Sequence, residues 1–505
     1  MTSADGLDGP FEREPLDLRL LPGALCSWLG CWWLIAAGPG AGLLLTGAIL
    51  ALSLPAARML KRPVWGRHRR PMRNRLTATV LLTALICGSV LGLSTIRVAE
   101  RGEAIEEWVG QDVSAVVEPV AEAQQLLSGT RERYRLPARL LAVHSADGSN
   151  ARLAVPVLIL ADATWSDVRP GTQWWVRGRV APTEAGDAMA ALFIAEPGAL
   201  LAGSASWSQR TVATLRAGLV DAAAPLAPQA RGLVPGISLG DTRAMPAPLG
   251  EDLRAVSLTH ITAVSGAHVA IVLGVVLLCV WWLPVWLRAG IAVVVLIGFV
   301  ALVYPSGSVV RAATMATVTL FGLATGRPRS SVPALFATVP VLLAGDPWLA
   351  RDFGFTLSVL ATGGLLLMSG PISAQLSRVL PAPLAMAAAI PIAAQLACAP
   401  VIVLLTPGVA THGVLANVLA APMVPPATIA GVLATVSAPL WPGAAAMLAQ
   451  LAAWCTAWIA TVATTVADLP LATTPWPEGV AGAAALAAAL VAVGTLVRTR
   501  RRRLG

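Results

Sequence analysis

Residues 76–96 read LTATVLLTALICGSVLGLSTI and contain no charged side chain. An α-helix rises 1.5 Å per residue, so about 20 apolar residues cross a hydrocarbon core of roughly 30 Å. Such runs recur along the 505 residues, of which 56% are hydrophobic and 12% charged, whereas a soluble domain has roughly 25% charged residues. The sequence therefore predicts an all-α polytopic membrane protein and excludes a cytosolic enzyme, a disordered protein and a coiled coil.

The segments before this run are also typical of a membrane protein. Residues 61–75 hold seven Lys or Arg side chains, and cytoplasmic loops collect such residues beside their spans. Two shorter apolar runs, 20–37 and 41–60, are separated by Gly38-Pro39-Gly40 and predict a helical hairpin. Residues 1–97 are thus predicted to form three transmembrane segments with a basic cytoplasmic loop at 61–75.

Residues 98–205 have a different character. Charged side chains return, and short β-forming runs alternate with turn sequences such as Asp147-Gly148-Ser149-Asn150. Five strands in about 100 residues favour a small OB-like β-barrel, although any small β-domain would show the same pattern. The predicted strands are Val113–Val117, Tyr134–Val143, Leu153–Leu160, Gln173–Val180 and Met189–Ala195.

The fourth predicted strand combines aromatic and basic side chains, namely Trp174, Trp175, Arg177 and Arg179. Aromatic rings can stack on the bases of single-stranded DNA while arginines hold its backbone. These four residues are therefore candidate DNA contacts. The alternative is that they are ordinary core and edge residues of the sheet.

The second half of the chain is predicted to be the main membrane domain. Residues 206–255 are less apolar and rich in proline, which favours interfacial or amphipathic helices. Residues 256–497 form the transmembrane domain, and residues 498–505 form a basic cytoplasmic tail. The nine predicted spans in this domain lie near 258–283, 286–304, 309–325, 331–345, 353–370, 383–405, 412–437, 443–467 and 479–497.

The predicted spans define a self-consistent topology of about 12 transmembrane helices. Three spans precede the β-domain and the basic loop between the second and third is cytoplasmic, so the β-domain lies outside the cell. The later spans return the arginine-rich tail to the cytoplasm. The sequence thus predicts a multi-pass plasma-membrane protein with an extracellular or periplasmic β-domain and both termini in the cytoplasm.

The formal net charge of +9 follows from basic cytoplasmic loops, with nucleic acid or anionic lipid as the alternative reason. The six cysteines lie in apolar stretches without a CxxC pair. They are interpreted as small apolar residues of the membrane domain rather than as disulfides or metal ligands.

Polar residues inside the apolar segments are candidate functional residues, because a polar group at membrane depth is costly unless it faces protein or water. His260, Ser265 and His268 lie in the sequence HITAVSGAH. On a continuous helix residues 260, 264 and 268 would share one face, but Gly266 can interrupt that helix. Arg311 follows the break Pro305-Ser306-Gly307-Ser308.

Gln395 precedes Pro400, and Asn417 follows His412-Gly413. Any one of these polar residues can be explained as a hydrogen-bonded bridge between helices. Their occurrence in several separate spans favours a shared polar path through the membrane.

At this point the sequence resembles the ComEC family of competence DNA-uptake channels. The resemblance is carried by Gly240-Asp241-Thr242-Arg243, by Arg254 and by Thr259-His260-Ile261-Thr262-Ala263-Val264-Ser265-Gly266-Ala267-His268-Val269. Weaker matches follow in order: Arg311-Ala312 with Met315, Asp346-Pro347, Gly354-Phe355-Thr356-Leu357-Ser358, and Leu415-Ala416-Asn417 with Pro422. Gly240, Asp241, Arg254, Gly266 and Phe355 are expected to be structural residues of this motif.

The chain departs from the family pattern in three ways. Ser257 and Ala267 stand where the family usually has glycine and leucine. Many members also carry a metallo-β-lactamase-like domain with a His-x-His-x-Asp-His cluster, whereas the five histidines here are His68, His144, His260, His268 and His412. The sequence therefore predicts no metal site, no cofactor and no enzymatic activity, and strand degradation would need a separate nuclease.

The resemblance implies a plasma-membrane channel that passes single-stranded DNA inward during natural transformation. Arg311 is the best candidate phosphate contact, because its guanidinium matches phosphate oxygens. His260, Ser265, His268, Gln395 and Asn417 would supply the other polar groups of the DNA path. The sequence has no GxxxxGK[ST] loop, so the implied partners include a separate cytoplasmic ATP-driven motor and an outer DNA-receptor protein, besides DNA and membrane lipid.

Two other functions are compatible with the same residues. One is a small-solute or ion transporter that uses an intramembrane His/Arg cluster as a proton relay. The other is an intramembrane serine hydrolase in which Ser265 is the nucleophile and His260 or His268 the base, which needs a Ser–His approach of about 3 Å.

Overall fold

The computed structural model describes residues 17–61, 70–126, 133–145, 148–166, 168–184, 186–304, 307–324, 331–406 and 408–504. Most of these residues are helical, and a single sheet domain interrupts the helices in the first half of the chain. The predicted combination of a helical membrane protein with one small β-domain is confirmed at this level.

Three helices precede the sheet: α1 (Leu21–Ala37), α2 (Pro39–Lys61) and α3 (Arg70–Glu106). Gly38 separates the first two with a positive φ of 84°, which glycine adopts without strain. Helix α1 packs closely on α3, since a Cβ on Gly30 would lie 2.9 Å from Leu91 Cδ2. Most of the predicted basic loop, residues 62–69, lies outside the described residues.

The strands alternate between buried and accessible side chains, as in a sheet with one face on a core. In β1, for example, Val113, Ala115 and Val117 are buried and the residues between them are not. The strands are β1 (Asp112–Pro119), β2 (Gln124–Leu126), β3 (Arg133–Ser145), β4 (Asn150–Ala161), β5 (Gln173–Pro182), β6 (Ala191–Ala195) and β7 (Leu200–Gly203).

Five of these strands form a closed circuit of pairings. Strand β1 pairs antiparallel with β3 and with β5, β3 pairs with β4, and β5 pairs with β6. The parallel pair β4–β6 completes the circuit. Strand β5 crosses β6 so closely that a Cβ on Gly178 would lie 2.2 Å from Ile194 O. The circuit encloses a core that includes Leu136, Val157 and Phe193.

Three helices connect the sheet to the second half of the chain: α4 (Trp207–Ala223), α5 (Pro228–Leu239) and α6 (Ala247–Ala255). Ser206 and Gln209 cap α4 reciprocally, with backbone-to-side-chain bonds of 2.8 and 3.3 Å. Residues 232–239 of α5 are all buried. Helix α5 therefore lies inside the helical domain, whereas α4 and α6 each keep exposed positions.

The remaining described helices follow the predicted apolar runs closely, with two differences. The first helix begins only at Gly266 and not near residue 258, and the predicted span 412–437 is interrupted by a 3-10 turn, Ala421–Met423. These helices are α7 (Gly266–Cys279), α8 (Val285–Val303), α9 (Gly307–Ala324), α10 (Ser331–Gly345), α11 (Phe353–Leu376), α12 (Ala382–Leu405), α13 (Gly413–Ala420), α14 (Val424–Ser437), α15 (Pro442–Ala467) and α16 (Gly479–Leu504). Two short strands, β8 (Val409–Ala410) and β9 (Thr473–Thr474), pair antiparallel.

Six helical segments among the described residues are long and apolar enough to cross a membrane. They are Thr77–Glu106, Val285–Val303, Phe353–Leu376, Ala382–Leu405, Gly413–Ser437 and Pro442–Ala467. Shorter apolar helices occupy other predicted span positions, including Gly266–Cys279 and Val332–Gly345. The chain is thus a helical membrane protein, and a total of about twelve spans stays a prediction.

Candidate functional site

The first predicted polar cluster is divided between a turn and a helix. His260 lies in a 3-10 turn, Thr259–Ile261, and α7 begins five residues after that turn at Gly266. A continuous helix from 260 to 268, on which both histidines would share a face, is therefore not formed.

Ser265 and His268 form the N-terminal cap of α7. The Ser265 backbone N–H donates to His268 Nδ1 at 3.2 Å, and Ser265 Oγ lies 3.3 Å from the same nitrogen. Since Nδ1 accepts a backbone hydrogen bond, the neutral ring carries its proton on Nε2. Nε2 is buried and, although the Ile261 backbone lies near the ring, it makes no hydrogen bond within the described structure.

His260 is exposed and is held by its own turn. Its Nδ1 lies 3.0 Å from the Ser257 carbonyl oxygen. Ser257 has a positive φ of 56°, in the left-handed region that favours glycine. This conformation gives a physical reason for the glycine that the ComEC-like pattern usually has at this position.

Arg311 lies in the second turn of α9 and is almost fully buried, with 2% of its surface exposed. Its NH1 group approaches Met315 Sδ at 3.4 Å and Thr362 Oγ1 at 3.5 Å, and its Nε has no partner in the described structure. The ion pairs of the described residues do not include it. The guanidinium is therefore a buried cation without a carboxylate.

The start of α7 is adjacent to Arg311. A Cβ on Gly266 would lie 3.7 Å from the Cβ of Ala312, the residue that follows Arg311. Glycine at this position lets the cap of α7, with Ser265 and His268, approach α9. The structure thus brings the first and second predicted polar clusters to neighbouring helices, while Pro305 and Ser306 of the predicted break lie outside the described residues.

Gln395 and Asn417 lie near the turn that holds His260. Gln395 Nε2 donates to the Ala410 carbonyl at 2.8 Å, and Asn417 Nδ2 donates to Gly413 O, inside its own helix, at 2.8 Å. A Cβ on Gly413 would lie 3.3 Å from Gln395 Oε1 and 3.4 Å from Ser257 Cβ. The predicted third and fourth clusters therefore meet the first at Gly413.

A continuous polar path through the six predicted residues stays a prediction. Each described side chain among them is held by a local partner or is buried. Two surface cavities of the described structure border other residues: one borders Trp207, Arg210 and Pro439, and the other borders Pro228, Asp252 and Thr464. The polar residues lie on separate elements that approach each other at Gly266 and at Gly413.

In the β-domain the predicted DNA contacts lie on both faces of β5, because successive side chains of a strand point to opposite faces. Trp175, Arg177 and Arg179 are exposed on one face, with Trp175 packed 4.9 Å from the His144 ring. Trp174 points the other way, donates to Thr172 Oγ1 at 2.7 Å and packs 6.1 Å from Trp165. Trp174 is therefore a core-side residue and does not share the exposed face.

The predicted motif residues have identifiable structural roles. Gly240 ends α5 with a φ of 74°. Phe355 is fully buried with its ring 5.2 Å from Trp28, and Gly266 provides the close approach of α7 to α9. Arg254 is exposed in the last turn of α6. Asp241 accepts two hydrogen bonds from the Arg243 guanidinium, at 3.0 and 2.7 Å.

Asp241 and Arg243 belong to a larger charged cluster that the sequence did not reveal. Arg216 Nε and NH2 lie 3.3 Å from Glu122 Oε1, and Arg243 Nε lies 3.0 Å from Glu122 Oε2. The Arg216 guanidinium also covers the Tyr304 ring at 4.3 Å. This cluster of Glu122, Arg216, Asp241, Arg243 and Tyr304 is called the junction cluster, because Glu122 belongs to the β-domain and the other four to the helical domain.

The pKa values of the two carboxyl groups of the junction cluster are shifted in opposite directions. Burial raises the pKa of Glu122, and the charges of the two arginines do not cancel this effect. Burial also acts to raise the pKa of Asp241, but the hydrogen bonds and charge of Arg243, with the charge of Arg216, hold that pKa below its usual value. Asp241 is thus the more firmly ionised of the pair.

The fold and the buried polar residues define a helical membrane protein with a β-domain and with buried ionisable groups in its helical part. A family model described as "Competence protein" matches residues 237–501, which is more than half of the chain. The chain therefore belongs to the ComEC family of competence proteins, and the resemblance found in the sequence is confirmed. Neither a curated protein nor a solved structure matches the chain.

Proposed function

We propose that this protein is a plasma-membrane channel that conducts single-stranded DNA into the cytoplasm during natural transformation. Membership of the competence family supports a role in DNA uptake. The observation that carries the proposal is Arg311, a buried guanidinium without a carboxylate partner in the described structure. An unpaired buried charge is costly and is retained where function needs it, and a DNA phosphate is the complementary anion.

Three of the proposed path residues are held by hydrogen bonds that are easily exchanged. His260, Gln395 and Asn417 each make a single hydrogen bond to a backbone carbonyl. A typical hydrogen bond contributes about 1 kcal/mol net, so exchanging these bonds for bonds to water or a DNA strand is inexpensive. These side chains can therefore leave their local partners at little cost, and a DNA strand would stabilise the conformation in which they face it.

The β-domain would receive the strand on the outer side of the membrane. We infer that the five-strand circuit is an OB-like barrel, because such barrels bind oligonucleotides on an open face. Trp175, Arg177 and Arg179 supply one aromatic and two cationic groups on one exposed face. In this arrangement the β-domain is extracellular or periplasmic and both termini are cytoplasmic.

Other proteins complete the process in this proposal. A polymer has to be pulled through a passive path, so a cytoplasmic ATP-driven motor and an outer DNA receptor act with the channel. The described residues contain no cluster of three or more potential metal ligands. Degradation of the second strand is assigned to a separate nuclease, and the chain itself is proposed to be a conduit and not an enzyme.

The hydrolase alternative has one supporting contact, the 3.3 Å approach of Ser265 Oγ to His268 Nδ1. The backbone N–H of Ser265 occupies the same nitrogen at 3.2 Å. The contact therefore has the geometry of a helix cap, and a nucleophile activated by Nδ1 would compete with that cap. The transporter alternative uses the same buried cation without DNA.

The test uses a transformable bacterium whose own uptake channel is deleted and replaced by this chain. Transformant number and entry of labelled DNA are measured for the wild type, Arg311→Ala and Arg311→Lys. We expect Arg311→Ala to abolish uptake with normal membrane insertion, and Arg311→Lys to retain part of it because the charge remains. Cys279→Ala is the control, because Cys279 is exposed at the end of α7 and is assigned only packing.

Two results would overturn the proposal. If Arg311→Ala is present at the normal protein level and takes up as much DNA as the wild type, Arg311 is not part of the DNA path. Solute flux that depends on Arg311 but not on DNA would favour the transporter.

A further inference from the structure

We propose that Arg216 is a positioning residue that links the β-domain to the end of α8. When the β-domain is packed against the helical domain, Arg216 holds the end of α8, and thereby the start of α9, in a fixed position. The inference rests on the proposed function only in assigning α9 to the DNA path. It adds a residue outside the matched competence domain, which begins at residue 237.

Arg216 joins the C-terminal ends of two helices. Its NH1 group donates to Leu239 O at 3.1 Å and to Leu302 O at 2.9 Å. These carbonyls lie in the last turns of α5 and α8, where backbone oxygens lack intrahelical partners and the helix dipole favours a cation. One buried side chain on α4 thus sets the spacing of three helices.

The same guanidinium is bound to the β-domain. Its Nε and NH2 both reach Glu122 Oε1, while NH2 lies 3.9 Å from Asp241 Oδ2. Glu122 lies in the connection between β1 and β2, and it also forms an ion pair with Arg243, whose Nε lies 3.0 Å from Glu122 Oε2. If the β-domain moved away, two clustered arginines would share only Asp241. The position of Arg216 therefore depends on the seating of the β-domain.

The end of α8 is a conformationally special segment. Tyr304, directly after α8, has a positive φ of 65°, an unfavourable region for a residue with a large side chain. Its ring lies against the Arg216 guanidinium at 4.3 Å, a contact that favours this orientation. Helix α9 begins at Gly307 and carries Arg311 in its second turn. A displacement of Arg216 would consequently change the position of the start of α9, the helix that carries Arg311.

The charge balance argues for positioning more than for stability. Buried ion clusters often contribute little net stability, because desolvation offsets the attraction between the charges. Burial raises the pKa of Glu122 in spite of two neighbouring arginines, so the Glu122 carboxylate is not strongly stabilised at this site. The cluster instead defines a geometry, because its ion pairs fix the position of Arg216, and Arg216 in turn binds the ends of two helices.

The test compares Glu122→Gln, Arg216→Lys and Arg216→Met with the control Arg210→Lys. Arg210 lies on the same helix, is exposed and is not part of the junction cluster. Three quantities are measured on the full chain: the melting temperature, amide hydrogen exchange in residues 299–304 and 311–316, and DNA uptake in the replacement strain. Exchange in α15 serves as an internal reference.

We expect Glu122→Gln to leave the melting temperature close to wild type and to accelerate exchange at the end of α8 and in α9 about tenfold or more, a local opening change of about 1.4 kcal/mol. Arg216→Lys should show a smaller increase in exchange, because lysine keeps the positive charge but lacks the planar guanidinium that donates to several acceptors at once. Arg216→Met should show the largest increase, with uptake reduced in the same order. The control Arg210→Lys should match wild type in all three measurements.

Two results would overturn the inference. One is unchanged exchange at 299–304 and 311–316 in both Glu122→Gln and Arg216→Lys. The other is equal acceleration in α15, which would show a general loss of stability. A wild-type chain that fails to take up DNA would refute the proposed function instead, and the exchange measurements would still decide the role of Arg216.

Discussion

The strongest prediction concerns the replacement Arg311→Met. The arginine is 2% exposed, and among the described residues its hydrogen-bond partners are Met315 Sδ and Thr362 Oγ1, at 3.4 and 3.5 Å. The desolvation of a buried ion costs several kcal/mol after relaxation, and these two long contacts recover little of it. Methionine fills a similar volume and removes the charge. We therefore expect Arg311→Met to raise the free energy of unfolding by about 2 kcal/mol while DNA uptake is lost.

The alanine variant separates the effect of charge from that of volume. Arg311→Ala also removes the charge, but it leaves a cavity of the kind that costs about 2–5 kcal/mol in protein interiors. Its unfolding free energy should therefore lie below that of Arg311→Met and close to or below that of the wild type. Met315→Leu, a volume-conserving change beside Arg311, should alter stability by less than about 1.5 kcal/mol.

The assay is thermal unfolding of the purified full chain in detergent, combined with uptake in the replacement strain. The expected signature is a variant that melts a few degrees higher than the wild type but does not transport DNA. A lower melting temperature for Arg311→Met, equal to that of Arg311→Ala, would show that the guanidinium is needed for folding. That result would refute the inference that an unpaired buried charge marks a functional residue here.

Three further changes test other parts of the structure by unfolding measurements. Ser257→Gly should stabilise the chain by about 0.5 kcal/mol, because relief of a strained positive φ, about 1–2 kcal/mol, exceeds the entropy cost of glycine, about 0.5–1 kcal/mol; Ser257→Ala, which keeps the strain, should not stabilise. Asp241→Asn should lower the melting temperature at pH 7, because the lowered pKa of Asp241 means that its ionised form is bound more strongly in the folded state. The stabilising contribution of ionised Asp241 is present above its usual pKa of about 3.9 and is lost as pH falls. The melting temperatures of Asp241→Asn and of the wild type should therefore converge below about pH 4. A difference in melting temperature that does not change with pH would contradict the assignment. Gly364→Ala should cost about 1–3 kcal/mol, since its Cβ would lie 2.7 Å from a side chain of α12, whereas Gly363→Ala, with 3.9 Å to its nearest neighbour, should be tolerated.

Several elements could be predicted from the sequence because the governing pattern is local. An apolar run of about 20 residues is stable in hydrocarbon only as a helix, so the run at 353–370 predicted the helix Phe353–Leu376. Alternating apolar residues likewise predicted β1 around Val113–Val117. The family was recognisable from the segment 259–269, which lies within the range matched by the family model.

The positions of the polar residues could be predicted only in part. Their convergence from separate helices was expected, and Gly413 does bring Gln395 beside Ser257. Their individual hydrogen-bond partners were not predicted, because a bond such as that from Gln395 to Ala410 O depends on how the helices pack. Trp174 and Trp175 are adjacent in sequence, yet only the register of β5 decides that one packs toward Trp165 while the other is exposed.

By itself the sequence determined the class of protein, its helices and strands and its family, because hydrophobic periodicity and contiguous motifs are properties of a short stretch of chain. The tertiary structure alone decided that Arg216 meets Glu122 and two helix ends. In the sequence Arg216 is one of several arginines in a segment without distinctive spacing. Its partners lie 94 and 86 residues away, and such contacts arise only when the β-domain and the helices pack against each other and exclude water from the charges between them.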